Sequence, residues 1–452
     1  MLASCGFQNY QAQPLNPSDS AKRYQAHDPY SEDFQRYLIA QDYPESELPI
    51  HAWGLKELTF SALFFNPDLD LARAQWRSAI ASQSTASQKP IPAISTKTEN
   101  HSNDSGVSPW SLGLSIDVPI ETGGKRQARI DRASSLSEAS KLEIGQTAWH
   151  IRNQLSQNWI AFVYSINQSR ILEQELHIRE EIASMLQKRL SAGLSSSIDL
   201  NNARIQLQKT QQQLDTETAR VPVLKAALAA SAGLSPETLS KLDLKIPSLA
   251  DYSLIDIEQS KMQDMMRDAQ ANAVLNRLDI RAALARYAAA EFKLKLEIAK
   301  QYPDIVLSPD YTYDQGDRVW SLGIGALLTF LNKNRGPIEE AKSLRDVEAA
   351  QFEVLQANVI NNLNQAIAAF IASQDTLNKS HILKESMQSR SQQIERQFNA
   401  GYSDRLELVS NKLENLIAVQ GEFDAAYRLI KARANLEDAM QRPLDDSSFN
   451  TN

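Results

Sequence analysis

Between Lys125 and Leu190 the chain has no proline and one glycine, Gly145, while Ile144, Ala148, Ile151, Leu155, Trp159, Phe162 and Ile166 follow one another at steps of three or four. That spacing predicts one continuous helix with a single apolar stripe, long helix 125–191, roughly 100 Å at 1.5 Å per residue. Phe352, Leu355, Val359, Leu363, Ala366 and Phe370 repeat the stripe and predict a second long helix over 336–399. The mean step of the first stripe, about 3.67, lies near the helix's own period and above the 3.5 of a left-handed coiled coil, so such helices pack side by side with little supercoil. Each long helix ends at a glycine, Gly193 or Gly401, and polar residues lead into a return helix over 198–232 or 405–440. The pattern predicts two helical hairpins.

Two other segments alternate with period two. Leu112, Leu114, Ile116, Val118 and Ile120 fall on one face of 111–120, with Ser111, Gly113, Ser115, Asp117 and Pro119 on the other. Leu322, Ile324, Ala326, Leu328 and Phe330 alternate in the same way, with Leu327 out of pattern. Each of these strands is expected to begin beside a tryptophan, Trp110 or Trp320, suited to an aromatic membrane girdle. Weaker extended runs precede them, Ile91 to Thr98 and Ile305 to Tyr313, giving β-hairpins over 91–120 and 304–330. An apolar row facing lipid and a small or polar row facing a lumen are what a membrane barrel asks of each strand. Four strands cannot close a barrel, and open edges in lipid leave backbone groups unpaired. Three copies would supply about twelve strands, within the range of such barrels. A half-buried sheet in a soluble protein would also explain the alternation, but not the long helices beside it.

The landmarks occur twice, at an offset of about 209: Asp70-Leu71 and Asp279-Ile280, Trp110 to Gly113 and Trp320 to Gly323, Phe162 and Phe370, Ala192-Gly193 and Ala400-Gly401. Their order is the same in both halves, so one unit has been duplicated. The expected organisation is an extended N-terminal arm (1–50), a first repeat (51–240), a connector (241–268), a second repeat (269–441) and a tail (442–452).

Composition narrows the function. The chain has 452 residues but 15 Gly and 17 Pro, sparse punctuation that suits long helices. A net charge of -8 supplies no basic stripe for nucleic acid. Six scattered His and one Cys give no zinc spacing and no disulfide within the chain. No run of about 20 apolar residues exists to form a membrane-spanning helix, which says nothing against membrane strands. Gly123-Gly124-Lys125-Arg126 lacks the spaced first glycine and the Ser/Thr of a phosphate loop, and no nucleophile elbow or metal-binding His pair on one helix is present. No catalytic residue, metal site or cofactor is expected. The single cysteine, Cys5, follows Leu2-Ala3-Ser4, an order that resembles the cleavage box of bacterial lipoprotein signal peptides; read so, Cys5 carries lipid, and read otherwise it is a lone cysteine without a role.

From about Leu55 to Met440 the residues resemble the TolC-like outer-membrane factors of tripartite efflux and secretion systems. Asn66-Pro67-Asp68-Leu69 and Leu278 to Ala283 look like that family's paired helix starts, Gly123 to Arg126 and Asn334-Arg335-Gly336 like its turns from barrel into helix, and Ala192 to Leu200 and Ala400 to Leu408 like its helix tips. The resemblance implies a mainly α fold with membrane β-hairpins: a homotrimer with a 12-stranded outer-membrane β-barrel and a periplasmic α-barrel in a Gram-negative bacterium. It further implies tips at Gly193, Leu194, Ser195, Gly401, Tyr402 and Ser403 that dock a periplasmic adaptor beneath an inner-membrane pump. Asp199 and Glu407 fall where the family carries acidic gate rings, with Ser410 where some members have another acid. A ring of carboxylates in a narrow pore would raise its own pKa values and attract cations; equally, both residues are acids at helix N-termini, favoured there by the macrodipole. The run Pro119 to Arg126 looks most like outlets paired with RND pumps, for small molecules or metal ions. The other readings are the outlet of a type I protein or peptide secretion system and a non-channel coiled-coil lipoprotein scaffold.

Overall fold

The computed structural model describes residues 9–102, 108–247, 275–327 and 332–444. Cys5, most of the expected connector, the strand positions Leu328 and Phe330, and the end of the tail lie outside them. Helices α1 (Pro17–Gln25), α2 (Glu32–Ala40), α3 (Leu55–Phe65) and α4 (Pro67–Ser87) precede strands β1 (Ala93–Asn100) and β2 (Trp110–Ile120). Helix α5 (Lys125–Ser191) runs for 67 residues, followed by α6 (Ser197–Ser231) and the short α7 (Pro236–Ser240). The second half gives α8 (Leu278–Ala299), β3 (Ile305–Asp314), β4 (Asp317–Ala326), the 65-residue α9 (Arg335–Asn399) and α10 (Arg405–Met440). No described helix is long and apolar enough to cross a membrane.

The chain divides into two compact units, and the long helices contribute to both. One comprises Met1–Pro67, Trp149–Gln259 and Ala366–Asp438. In it the apolar stripe of α5 is buried through Leu155, Trp159, Phe162 and Val163, and that of the second repeat through Phe370. The hydroxyl of Ser165 donates to Glu217 at 2.8 Å, and Glu175 accepts from both Arg179 (2.6 Å) and Thr210 (3.0 Å), so these two buried polar side chains of α5 are paired with α6 or with their own helix.

The segment expected to be an extended arm is folded instead. Phe34 of α2 is fully buried among Trp53, Phe64 and Phe65, with ring centroids 5.4–6.3 Å apart, and His27 stacks on Phe65 while its Nδ1 lies 2.8 Å from the Gly233 carbonyl. Asn16 caps α1 and Ser31 caps α2. Nine-residue helices are too short to stand alone in water; α2 exists because its aromatic face is buried against α3 and Trp53, and α1 is tied to the α6–α7 turn by the Tyr24 hydroxyl, which donates to the Leu234 carbonyl at 3.2 Å.

The second unit comprises Asp68–Ala148, Ser260–Gln365 and Ala439–Asn452. It holds one antiparallel sheet in the order β1-β2-β3-β4, so β1 and β4 are open edges within the chain. Beneath the sheet, Gly145 of α5 meets α8 closely: a Cβ there would sit 2.9 Å from Leu278 Cδ1. Arg277 pairs with Asp279 at 2.7 Å and donates to the Ala439 carbonyl, fixing the start of α8.

Candidate functional site

The register of the sheet sorts its side chains. Leu112 pairs with Tyr313, Leu114 with Tyr311 and Ile120 with Ile305, and on the next strand Tyr311 meets Trp320, Pro309 meets Leu322 and Leu307 meets Ile324. These apolar side chains share one face, and along β2 it is the more open one, with Leu112 52% exposed and Ser111 on the other face 5%; on the edge strand β4, where both faces are open, Ile324 is 71% and Trp320 79% exposed. A sheet folded for water does the reverse. The polar face is hydrogen-bonded across strands, with Ser308 donating to Asp117 at 2.5 Å and Ser111 to Asp314, and along β3, with Thr312 donating to Asp310 at 2.8 Å. His101 Nε2 lies 3.0 Å from Ser111 Oγ. Ser111, His101 and Asp314 are the residue types of a hydrolytic triad, but His101 and Asp314 both bind the one hydroxyl and Asp314 does not orient the imidazole, so the group lacks that geometry.

Trp110 opens β2 as expected. Trp320 does not open β4: the tight turn at Gln315–Gly316 starts that strand at Asp317 and puts Trp320 three residues inside, its ring tilted against that of Tyr311 at 4.6 Å. Arg318 and Val319 occupy positions that the alternation, read from Ser321 onward, had left in the loop.

The helix tips belong to the other unit. Gly193 and Gly401 adopt φ of +73° and +80°, and the following amides close the helices, Leu194 N to the Arg189 carbonyl at 2.8 Å and Tyr402 N to the Gln397 carbonyl at 2.9 Å. Beyond them Leu194 (77% exposed) and Tyr402 (87% exposed) stand apolar in the open. Ser196 caps α6: its hydroxyl accepts from Asp199 N at 3.1 Å, while the Asp199 carboxylate accepts from Ser196 N at 3.1 Å and from Ser196 Oγ at 2.7 Å. Those bonds hold the Asp199 carboxyl below the usual carboxylate range, opposite in sign to the mutual repulsion expected of an acidic ring. In the second tip Asp404 takes the capping role, accepting from Glu407 N at 2.9 Å and pairing with Arg189 at 2.9 Å, which likewise lowers its pKa. Glu407 accepts from Ser403 Oγ at 2.9 Å, and Ser410, one turn on, is half-buried. Arg405 reaches Glu181 at 2.8 Å, so α5 of the first repeat holds both ends of the Asp404–Arg405 pair. The cross-helix ion pairs are not legible in a linear pattern, because the partners lie more than two hundred residues apart, whereas the Asp404 cap is a local Asp-x-x-Glu spacing that the sequence reading passed over. No group of three metal-binding side chains is found among the described residues.

A sheet with its apolar face outward, carried on paired helical hairpins, defines a membrane-channel subunit of the outer-membrane type. The family model described as outer membrane efflux protein matches residues 60–234 and 270–441, one match per repeat, and the chain belongs to that family. It is 23% identical over 282 residues to the cobalt-zinc-cadmium resistance protein CzcC of Cupriavidus metallidurans, an alignment covering 62% of this chain and 63% of that relative's length. Its fold matches the outer-membrane channel OprN with a TM-score of 0.66 (20% identity, 92% of this chain and 95% of that one). It also matches VceC of Vibrio cholerae, with a TM-score of 0.67 (18% identity, 91% and 98%).

Proposed function

We propose that the chain is one third of a homotrimeric outer-membrane duct through which a tripartite efflux system passes small molecules or metal ions to the exterior. The observation that carries this reading is the inverted sheet with two open edges: in lipid, β1 and β4 must find partners, and other copies of the chain supply them. The polar face then lines the lumen, and Trp110 anchors the apolar face at the membrane surface, with Trp320 deeper on the same face. The exposed Leu194 and Tyr402, with Gly193, Ser195, Gly401 and Ser403, offer the adaptor a small apolar docking point at the helix tips. An inner-membrane pump of the RND type drives export, so the duct needs no cargo pocket and no chemistry of its own. Lipid on Cys5 would add about 0.8 kcal/mol per buried methylene to membrane attachment. The name of CzcC favours divalent metal ions as cargo.

Expression behind a lipoprotein signal peptide, purification in detergent and measurement of mass and planar-bilayer conductance test the duct. A trimer that opens ion-conducting pores supports it; a soluble species with no conductance overturns it. Deletion that leaves metal and drug resistance unchanged while stopping protein export removes the efflux assignment.

A further inference from the structure

We propose that the four strand-to-helix junctions form a cationic collar that binds the phosphate groups of anionic phospholipid in the periplasmic leaflet of the outer membrane. The inference rests on reading the sheet as membrane-embedded. The start of β1, the end of β2, the start of β3 and the end of β4 lie at one end of the sheet, where Ile120 pairs with Ile305 and Ile305 with Ala326. Polar contacts join all four junctions there. Arg126 Nε donates to the Ser87 carbonyl at 2.7 Å, tying the α4–β1 and β2–α5 junctions together. Lys125 Nζ donates to Asp304 and to the Tyr302 carbonyl, both at 2.7 Å, and Thr122 N donates to Asp304 at 3.0 Å, which brings in the α8–β3 junction. Asn334 Nδ2 donates to the Glu297 carbonyl at 2.8 Å and adds the β4–α9 junction.

The cations of this collar fall into two sets. Lys125, Arg129 and Lys300 are neutralised by Asp304, Glu121 and Glu297. Lys89, Lys333 and Arg335 are exposed and have no carboxylate partner among the described residues, and half-buried Arg126 holds only a backbone carbonyl. The ion pairs satisfy what the junctions need to hold together; the unpaired cations are surplus to that and lie at the surface, in a protein whose net charge is -8. Directly on the sheet side of them stand Tyr302 (61% exposed), Ile120 and Ile305, so an apolar band with an aromatic edge meets a cationic one. That is the profile of a bilayer surface, acyl chain below and phosphate above, and the long stems of Lys and Arg let their charges reach the phosphate layer. The guanidinium groups of Arg126 and Arg335 can hold phosphate oxygens in pairs. At the other end of the sheet there is no such surplus of cations: Glu99, Asp314 and Asp317 are set against Lys97 and Arg318, with His101 beside Asp314.

Quenching of tryptophan fluorescence by brominated lipid tests the proposal in reconstituted full-length protein carrying Tyr302→Trp, which places a reporter at the collar; Trp110 opens β2 at the far end of the sheet and, with Trp320, reports only that the apolar face meets lipid. The reporter protein with an unaltered collar serves as the wild type. The probes are brominated phosphatidylcholine and brominated phosphatidylglycerol, titrated against each other. The wild type is expected to prefer phosphatidylglycerol by about threefold or more, and Lys89→Gln, Arg126→Gln, Lys333→Gln and Arg335→Gln combined to bring the ratio to about one. A control with the same charge change elsewhere, Lys22→Gln, Lys188→Gln, Lys209→Gln and Lys412→Gln, should keep the wild-type ratio. A wild-type ratio of one, or an unchanged preference in the collar variant, overturns the collar while leaving the membrane sheet intact. Absence of quenching by either lipid overturns the membrane reading itself. Circular dichroism of both variants identifies a collar variant that has not folded, and in that case the single substitutions Lys89→Gln and Lys333→Gln, each expected to lower the ratio, decide the question.

Discussion

The hydroxyl of Tyr164 on α5 donates a 2.8 Å hydrogen bond to Asp424 on α10, and the ring of Tyr427 lies 4.1 Å from that of Tyr164. This contact joins a helix of the first repeat to one of the second. Burial pushes the Tyr164 hydroxyl well above the usual phenol range and Asp424 adds to the shift, so the donor stays protonated at any working pH. Tyr164→Phe leaves the carboxylate without its donor and should lower stability by about 1 kcal/mol. Asp424→Asn keeps an acceptor and should cost less. Thermal midpoints of the two variants check this, and an equal loss in both would show that packing rather than the hydrogen bond matters.

Glu422 on α10 is buried and lies 2.6 Å from His381 Nδ1 and 2.8 Å from Lys384 Nζ. Burial alone would raise its pKa, but the bonds from Lys384 and His381 outweigh it and the carboxyl ends below its ordinary value of 4.5. The sign of the linkage follows: the contribution is complete above pH 4.5 and is lost as pH falls through the lower folded value. Wild-type thermal stability should therefore drop between pH 5 and about pH 3, and Glu422→Gln should be less stable at pH 7 with a shallower fall over that range. Parallel slopes in the two proteins would remove Glu422 from the account.

Glycines with the same backbone conformation should differ sharply on substitution. Gly193 and Gly233 have φ of +73° and +71°, but a Cβ at Gly193 would meet nothing within 4 Å, whereas at Gly233 it would lie 2.8 Å from Phe65 Cβ and 3.0 Å from the Phe65 carbonyl carbon. Gly193→Ala should cost only the left-handed strain, about 1 kcal/mol. Gly233→Ala must also displace the backbone at Phe65–Asn66 and should be several-fold worse in folded yield or thermal midpoint.

The periods of three to four and of two in the apolar positions made the helices and the membrane strands readable, because in both the periodicity is a local consequence of which face is apolar. The N-terminal helices escaped for a related reason. Their stripe is only Phe34 and Leu38, too short to show a period, and what stabilises it, Trp53 and Phe65, comes from the following segment. At the candidate site the place of Asp199 at a helix N-terminus was readable locally, and the Ser196 cap that fixes it was not picked out. The contacts of Arg189 with Asp404 and of Ser308 with Asp117 were not readable, because they depend on register between distant segments. The displaced Trp320 has the same origin: a two-residue turn sets where β4 starts, and the alternation alone carries no phase for the turn.

Adjacent residues of β2 should respond oppositely to one charge. Leu114 lies on the exposed apolar face and Ser115 on the polar one. Leu114→Arg would place a cation in the hydrocarbon layer at about 2–4 kcal/mol and should reduce the trimer recovered from outer membranes. Ser115→Arg points into the lumen and should assemble normally while lowering cation conductance. Equal loss of assembly in both would mean that the two faces are not lipid and lumen.

A gating role for Asp199 and Glu407 is distinguished from a purely capping one by a charge-removing, shape-preserving pair of substitutions. Asp199 caps α6 through Ser196, and the Asp199 carboxylate needs only an acceptor oxygen for that purpose. Asp199→Asn preserves an oxygen for the cap, and Glu407→Gln preserves one for the bond from Ser403. If three copies bring these acids together as a gate, the double variant should retain its helical content and melting temperature, conduct more, and require a several-fold higher concentration of a multivalent cation for half-block from the periplasmic side. If the acids serve only as helix caps, conductance and block should match the wild type. Replacement of both by Ala then provides the complementary result, since it removes charge and cap together: a gate predicts the same change in block as in the Asn/Gln protein, and a capping role predicts loss of tip stability with block unaltered.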